Sequence, residues 1–355
     1  MANPLRVGIL FGGRSAEHEV SVVSAQGVMA AIDRERFQVV PIGVTRDGTW
    51  LTPEETKAAL AAIKAEHLAS LNASPGVCGI RPQVLMALGE LDVVFPLIHG
   101  TFGEDGSLQG FLEMLDVAYV GAGVAGSAVG MDKALQQMIL RQAGLPVPQS
   151  LVVTAGHWQA AGPTLAREVE GQIGYPCFVK PANGGSSIGT SKVRSREDLA
   201  DAVTDAFRYD RKALIEQAIE GRQVECAVLG NDYPQSSPLG EIVFAREFYD
   251  YVAKYEDSTT RLIIPAEVPP TLAGHLQAMA IAAFQAVDCA GMGRVDFFLG
   301  PSDEPYLNEI NTIPGFTPVS MYPKLWEAAG LSYRDLITRL VELGVERHQE
   351  RRSRV

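Results

Sequence analysis

Two short apolar segments near the C-terminal end carry acids where a sheet normally places hydrophobes. The first is Arg294-Val295-Asp296-Phe297-Phe298-Leu299 and the second is Tyr306-Leu307-Asn308-Glu309-Ile310-Asn311. The stretch between them, Gly300-Pro301-Ser302-Asp303-Glu304-Pro305, is a cluster of turn formers, so the three pieces predict a hairpin. A turn centred on Ser302 and Asp303 sets Asp296 opposite Glu309 and Arg294 opposite Asn311. Side chains alternate faces along a strand, which puts these four polar groups on one side. Opposed acids repel unless positive charge lies between them. Carboxylate and amide oxygens are hard ligands that suit Mg²⁺, an ion that keeps water and binds substrate phosphates. A solvated outer face would explain any one of these acids. Four such groups flanked by Phe297, Phe298, Leu299 and Ile310 favour a metal and phosphate site instead.

A chain of 355 residues exceeds one comfortable core and predicts two or three domains. The net charge of −12 argues against nonspecific nucleic-acid binding, while leaving room for an anionic substrate at a locally positive site. Cys78, Cys177, Cys226 and Cys289 lack metal-ligand spacing, and three adjoin apolar runs. They read as buried free thiols in a reducing compartment. The first eleven residues hold too short an apolar run for a signal peptide, and no segment is long enough to span a membrane. A cytoplasmic protein is expected. The basic tail 347–352 reads as a fraying helix end.

Apolar segments 5–11, 37–44 and 91–98 alternate with helical stretches, the first of them beginning near Ser15. That alternation predicts a parallel sheet with helices on both faces, whose ligands bind at the carboxyl ends of the strands. Gly12-Gly13 and the run from His99 to Gly106 follow strands at that edge. Beyond 121–126 come a helix over 132–143, a strand over 150–153, a helix near 165–170 and a strand over 177–180. A loop (181–189), a helix near 196–207 and a strand near 213–217 complete a small α+β unit. From Val224 onward the chain reads as strand-rich, with one long helix over 271–287 before the acidic hairpin.

Several features inside these elements suit phosphate chemistry, though each alone has an ordinary alternative. The run Lys180-Pro181-Ala182-Asn183-Gly184-Gly185-Ser186-Ser187-Ile188-Gly189 places two glycines and two serines directly after a strand. Such a loop lets backbone N–H groups curl around an anion, but its spacing is not that of the Walker loop, and it could be a surface hairpin. Lys133 and Lys180 sit where folding needs no lysine, and solvated lysines are common. The segment Glu216-Gln217-Ala218-Ile219 leaves a strand and could present its backbone to an adenine edge. Arg14, Glu17, His18 and Glu19 crowd a helix start, where acids also favour the helix dipole. His99 stands alone after a buried strand. Lys254 and Tyr255 lie in an aromatic loop, and 311–318 leaves the hairpin through a Pro-Gly turn with Ser320 and Met321 just beyond.

Taken together and in order, these pieces resemble the D-alanine–D-alanine ligases of the ATP-grasp superfamily. The matching motifs are Phe11 to Ser21, His99-Gly100 with Gly103 to Gly106, Lys180 to Gly189, Tyr249 to Tyr255, Gly293 to Asp296, Asn308 to Thr312, and Pro314-Gly315. The resemblance implies an α/β protein, α+β in its ATP-binding part, with ATP-grasp architecture behind an N-terminal parallel-sheet domain. It divides the chain into a substrate-binding domain (1–126), a small central ATP-grasp domain (127–222) and a C-terminal ATP-grasp domain with metal site and lid loop (223–355). It implies ATP-dependent ligation of two D-alanines through an acyl phosphate, giving a peptidoglycan precursor.

By similarity, Lys133, Lys180, Ser186, Ser187, Glu216, Gln217 and Ile219 bind ATP. Asp296, Glu309 and Asn311 hold two Mg²⁺, with Mn²⁺ as a substitute. Glu17, His99, Lys254, Tyr255, Ser320 and Met321 bind the D-alanines, and Arg294 with the Gly315 N–H stabilises the tetrahedral intermediate. Ser186, Tyr255 and Glu17 form a hydrogen-bonded link across closed loops. Tyr255 also favours D-alanine over D-lactate as second substrate. Relatives are commonly dimers, so a homodimer is expected, with no nucleic-acid or membrane partner. One position departs from the pattern: Gln223 stands where the family commonly has a glutamate for the ATP ribose. The rivals are an ATP-grasp ligase for another acid and amine, a silent nucleotide-binding protein, and a dehydrogenase. The last lacks its Gly-x-Gly-x-x-Gly fingerprint here.

Overall fold

The computed structural model describes residues 3–62, 71, 79–243 and 260–354. Among these, three sheets organise the chain. Strands β1 (Leu5–Gly12), β2 (Phe37–Val44), β3 (Val93–Pro96) and β4 (Ala118–Tyr119) form a parallel sheet in the order β2-β1-β3-β4. Their nearly continuous apolar runs suit burial on both faces. Val22, Ala25 and Val28 of helix His18–Ala31 cover one face together with Leu336 and Leu340 of helix Tyr333–Ser353. Val84, Leu88, Leu108 and Leu112, from helices Pro82–Gly89 and Ser107–Met114, cover the other. The first helix starts at His18 rather than near Ser15, because residues 14–17 are spent on a turn leaving β1.

The second sheet is antiparallel, in the order β5-β8-β6-β7, built from β5 (Ser150–Thr154), β6 (Cys177–Pro181), β7 (Ser191–Val193) and β8 (Lys212–Gln217). Helices Ala155–Gln172 and Arg196–Ala206 pack on it. The first of these is far longer than the 165–170 expected. It is two segments joined at Ala161 (φ −137°, ψ 21°), with Pro163 opening the second. Proline is favoured at a helix start, so the breaker that shortened the expectation marks a restart.

The third sheet runs β11-β10-β9-β12-β13, from β9 (Arg222–Gly230), β10 (Gln235–Val243), β11 (Arg261–Ile263), β12 (Gly291–Leu299) and β13 (Pro305–Asn311). Val224, Cys226, Val228, Val295, Phe297 and Leu299 point to helix Pro270–Ala286. The alternate residues Ala227, Leu229 and Met292 join the core shared with the parallel sheet. Toward one end, that second face changes from apolar to Glu225, Arg294 and Asp296, and the site begins there. The free edge of β13 is covered in two places: the Pro146 carbonyl accepts from the Leu307 N–H at 2.8 Å, and one side chain serves Ile310. Gln136 accepts from the Ile310 N–H (3.0 Å) and donates to the Ile310 carbonyl (3.1 Å), replacing the neighbour an edge strand lacks.

The basic tail does not fray. Helix Tyr333–Ser353 ends against the parallel sheet, with the Arg347 guanidinium 4.3 Å over the Tyr119 ring and Arg351 paired to Glu113 at 2.8 Å. Cys177, Cys226 and Cys289 are buried free thiols, and burial raises Cys177 to about 11 and Cys226 to about 12. Cys78 lies outside the described residues. No helix among the described residues is long and apolar enough to cross a membrane.

Candidate functional site

The hairpin pairs as expected where it matters. Arg294 faces Asn311 and Asp296 faces Glu309, but a bulge after Asp296 shifts the turn-side half, so Phe297 pairs with Leu307 and Phe298 with Tyr306. The extra residue in β13 is Asn308, which lines the same cavity as the acids. On the other side of β12, Asp296 stands opposite Glu225 of β9. A row of three acids, Glu225, Asp296 and Glu309, therefore crosses three adjacent strands. Burial of Val295, Phe297 and Leu299 on the far face contributes about 1.5–3 kcal/mol each, which offsets the repulsion along this row.

The row is held together by cations. Arg294 is 6% exposed, and its Nε and terminal nitrogen reach the two Asp296 oxygens at 2.7 Å each. Its Nε lies 3.0 Å from a Glu225 oxygen. Burial opposes this charge, but Asp296 and Glu225 raise the guanidinium well above its ordinary value. Asn311 donates to Asp296 at 3.0 Å. Glu309 pairs instead with Lys133 at 2.8 Å. Burial pulls that lysine down, and Glu309, with Glu216 and Glu104, more than reverses it. Glu225 was not among the sequence candidates, since only sheet order brings β9 beside the hairpin.

Lys133 is the first residue of helix Lys133–Gln142, and Asp132 caps that helix by accepting from the Ala134 and Leu135 N–H groups. Lys212 pairs with Asp132, fixing the cap to β8. The Lys133 ammonium also donates to the Gly184 carbonyl at 3.0 Å, which ties it to the glycine loop. Lys180, at the end of β6, pairs with the buried Glu216 of β8 at 2.7 Å. Lys133 bridges the acid row and the glycine loop, and Lys180 lines the same cavity from the second sheet.

In the loop, Ser186 (φ 50°) and Ser187 (φ 57°) both take the left-handed conformation, closing a turn in which the Ile188 N–H donates to the Gly185 carbonyl at 3.2 Å. Successive backbone N–H groups in such a turn make a concave anion seat. The loop meets the N-terminal sheet directly, since the Ser186 hydroxyl donates to Glu17. A Cβ on Gly185 would lie 2.8 Å from a Glu17 oxygen, so a side chain there would push that carboxylate aside. Glu17 is buried at the end of β1, where Gly12 (φ 96°) admits no side chain because a Cβ would stand 2.1 Å from the Val44 carbonyl. His99 donates from Nδ1 to the Ile313 carbonyl at 3.2 Å, and the Gly100 N–H donates to Glu104 at 2.6 Å.

One cavity of about 460 Å³ gathers Glu17, His99, Lys133, Lys180, Ser186, Ser187, Glu216, Gln217, Ile219, Arg294, Asp296, Glu309, Asn311 and Gly315. That size suits a nucleotide-scale ligand. Gln223 and the unforeseen Glu104, Glu225, Met131 and Phe178 line it too. Ser320 and Met321 do not. The Ser320 hydroxyl accepts from the Thr317 N–H (3.1 Å) and bonds the Thr317 hydroxyl (2.8 Å), while Met321 is buried with its sulfur against Gly240. Lys254 and Tyr255 lie outside the described residues.

His18, beside Glu17, holds the chain rather than a ligand. Its Nδ1 donates to the Gly13 carbonyl (2.7 Å), and its Nε2 accepts from the Leu71 N–H (2.9 Å), which requires the neutral ring. Burial lowers its pKa below the ordinary 6.5, outweighing the Gly13 bond and Glu19, with Arg46 adding to the lowering. Its contribution to stability is therefore complete above pH 6.5 and is lost as pH falls through the folded-state value. The Tm gap between the native protein and His18→Leu should narrow between pH 7.5 and 5. A gap that widens on acidification would contradict the neutral assignment.

Comparison with known proteins bears on this geometry. The family model described as D-ala D-ala ligase N-terminus matches residues 6–122, and the one described as D-ala D-ala ligase C-terminus matches 139–342. The chain is 48% identical to the D-alanine–D-alanine ligase of Geobacillus kaustophilus over 354 residues, covering 98% of this chain and 96% of that protein. It is 50% identical to D-alanine–D-alanine ligase A of Chromobacterium violaceum over 353 residues, covering 97% and 96% respectively. The solved D-alanine–D-alanine ligase of Coxiella burnetii superposes with a TM-score of 0.82 at 35% identity, covering 99% of this chain and 97% of that one. The D-Ala:D-Ser ligase VanG of Enterococcus faecalis gives 0.81 at 33% identity, covering 96% and 100%.

Proposed function

The chain belongs to the D-alanine–D-alanine ligase family and joins two D-alanines at the expense of ATP for peptidoglycan synthesis; from that premise, we propose how its residues divide the work. The observation that carries this reading is that one cavity holds both lysines, the acid row and Glu17. Lys133, Lys180 and the N–H groups of the Ser186-Ser187 turn receive the ATP phosphates. Glu216, Gln217 and Ile219 line the seat of the base, with Met131 and Phe178 as apolar walls.

The donor set fits Mg²⁺. Asp296, Glu309 and Asn311 offer hard oxygens on one wall of the cavity. Such a set suits an ion completed by water and substrate phosphate. Asp296, Glu309 and Asn311 would hold two Mg²⁺ (or Mn²⁺), which when bound supply charge neutralisation for phosphoryl transfer. Glu225 belongs with Arg294, holding the guanidinium in place.

The carboxylate of the first D-alanine is a poor electrophile. Transfer of the γ-phosphoryl group to it releases ADP and makes an acyl phosphate; the second D-alanine, its ammonium having lost a proton, attacks that carbonyl through nitrogen, and inorganic phosphate leaves. Glu17 grips the ammonium of the first D-alanine, His99 stands near its carboxylate, and Arg294 with the Gly315 N–H steadies the oxyanion that forms on attack. The Ser186–Glu17 bond helps close the site against water, which would hydrolyse the acyl phosphate. Lys254, Tyr255, Ser320 and Met321 complete the second substrate's surroundings on the strength of the family resemblance. Tyr255 there favours an amine over D-lactate. Gln223 can still hydrogen-bond a ribose hydroxyl, with no charge. The buried thiols and the use of ATP fit a reducing, cytoplasmic setting, and a homodimer is proposed on the family resemblance alone.

Phosphate release with Mg²⁺-ATP and D-alanine, run beside L-alanine, D-lactate and D-serine with products weighed, tests the assignment. D-Alanyl-D-alanine in step with phosphate is expected. ATP binding with no dipeptide would overturn the substrate roles of Glu17, Tyr255 and Ser320.

A further inference from the structure

The helix Lys133–Gln142 presents Lys133, Gln136 and Gln137 on one face, at spacings of three and four residues. Lys133 reaches the acid row and Gln136 clamps the edge of β13, as described. Gln137, 2% exposed, lies behind the cavity wall: its Nε2 donates to one oxygen of the lining residue Glu216, itself 2% exposed. We infer that Gln137 is a positioning residue for nucleotide recognition, holding Glu216 as a fixed hydrogen-bond acceptor that selects a purine bearing an amino group over one bearing a carbonyl. The inference rests on the reading that Glu216 lies at the base.

The donors around Glu216 run in one direction. A carboxylate only accepts, so the Gln137 NH₂ must face it and the Gln137 oxygen must face away. That oxygen accepts from the Ser150 hydroxyl at 2.6 Å. With its proton committed, Ser150 has only acceptor capacity left, and the Arg141 guanidinium lies 3.4 Å from its oxygen and 3.2 Å from the Pro148 carbonyl. From the opposite side Lys180 holds the second Glu216 oxygen at 2.7 Å. The chain Arg141, Ser150, Gln137, Glu216 is thus polarised toward the carboxylate, and each link strengthens the next.

Two consequences follow for the ligand. With both oxygens held by donors, Glu216 is fixed in place as an acceptor. An acceptor fixed at the base seat rewards a donor on the ring and penalises a carbonyl brought against it, which is discrimination by repulsion as well as attraction. Loss of Gln137 frees one oxygen and leaves a buried polar group unpaired, a change of the size that shifts binding about tenfold.

Saturation kinetics with ATP and with ITP test this in the native protein, Gln137→Leu, Gln137→Lys, Ser150→Ala and Glu216→Gln. Gln137→Leu should raise the KM for ATP about tenfold, leave the KM for D-alanine unchanged, and narrow the preference for ATP over ITP by a similar factor. Gln137→Lys, which keeps a donor to Glu216, should restore most of that preference. Ser150→Ala, one link further out and only half-buried, should move it about twofold in the same direction. If Gln137→Leu does not fold, Ser150→Ala and Gln137→Lys decide the matter. An unchanged ATP-to-ITP ratio in the Gln137 and Ser150 variants, beside a shifted ratio in Glu216→Gln, would overturn the inference and leave Glu216 at the base. A rise in both KM values would mean a structural role and also overturn it. Unchanged nucleotide kinetics in Glu216→Gln would remove the reading on which the inference stands.

Discussion

Glu309→Gln is expected to lower phosphate release at saturating ATP and D-alanine by about a thousandfold, a loss of about 4 kcal/mol in transition-state stabilisation. The replacement keeps the shape and one acceptor oxygen but removes the charge from a position facing Asp296 across the strand pair. The fold should tolerate it. Glu309 is half-buried, and its partner Lys133 keeps the Gly184 carbonyl at 3.0 Å, so Tm should move only about 2–4 °C. The Mg²⁺ concentration for half-maximal residual activity should rise, a readout that a purely structural acid would not move. Undiminished turnover at ordinary Mg²⁺ would sink the metal role. Asp296→Asn should abolish turnover as well, but less cleanly. Asp296 receives both forks of the buried Arg294, so that change also costs stability.

The same hairpin shows how far the sequence was legible. The turn cluster and the alternation of acids with apolar residues carry local information, and they place Asp296 against Glu309 and Arg294 against Asn311. The bulge at Asn308 depends on packing that the strand alone does not encode, and it displaces the pairing only on the turn side. Glu225 escaped notice because its neighbour on β12 is set by sheet order, and its own strand reads as an ordinary buried one. The Gln136 and Gln137 contacts were hidden for a related reason. Glutamine on a helix is unremarked surface chemistry until the fold buries it beside a strand edge or a carboxylate. The tail at 347–352 misled in the opposite sense, since its arginines find Tyr119, Glu113 and Asp116 on elements distant in sequence.

Arg294→Met should cost about 3–5 kcal/mol of stability in addition to activity. Methionine fills much of the same volume, so little of the loss comes from a cavity. It comes from two acids left in a place that burial and mutual repulsion make hostile to charge. Glu225 is 4% exposed, and Asp296 stands next to it on the neighbouring strand. In the native protein Arg294 serves both. Without it, burial and the neighbouring acid should push at least one carboxyl above its unfolded-state value. A group whose folded pKa is raised adds stability on protonation, so the variant should regain stability as pH falls through that raised value, while the native protein should not. Denaturant unfolding of both proteins between pH 8 and 5 distinguishes this from simple loss of packing. A deficit constant across that range would mean that Glu225 and Asp296 find other partners, and that Arg294 is there for the reaction alone. Arg294→Lys should recover part of the stability and little of the turnover, because an ammonium supplies the charge without the planar fork that reaches both carboxylates at once.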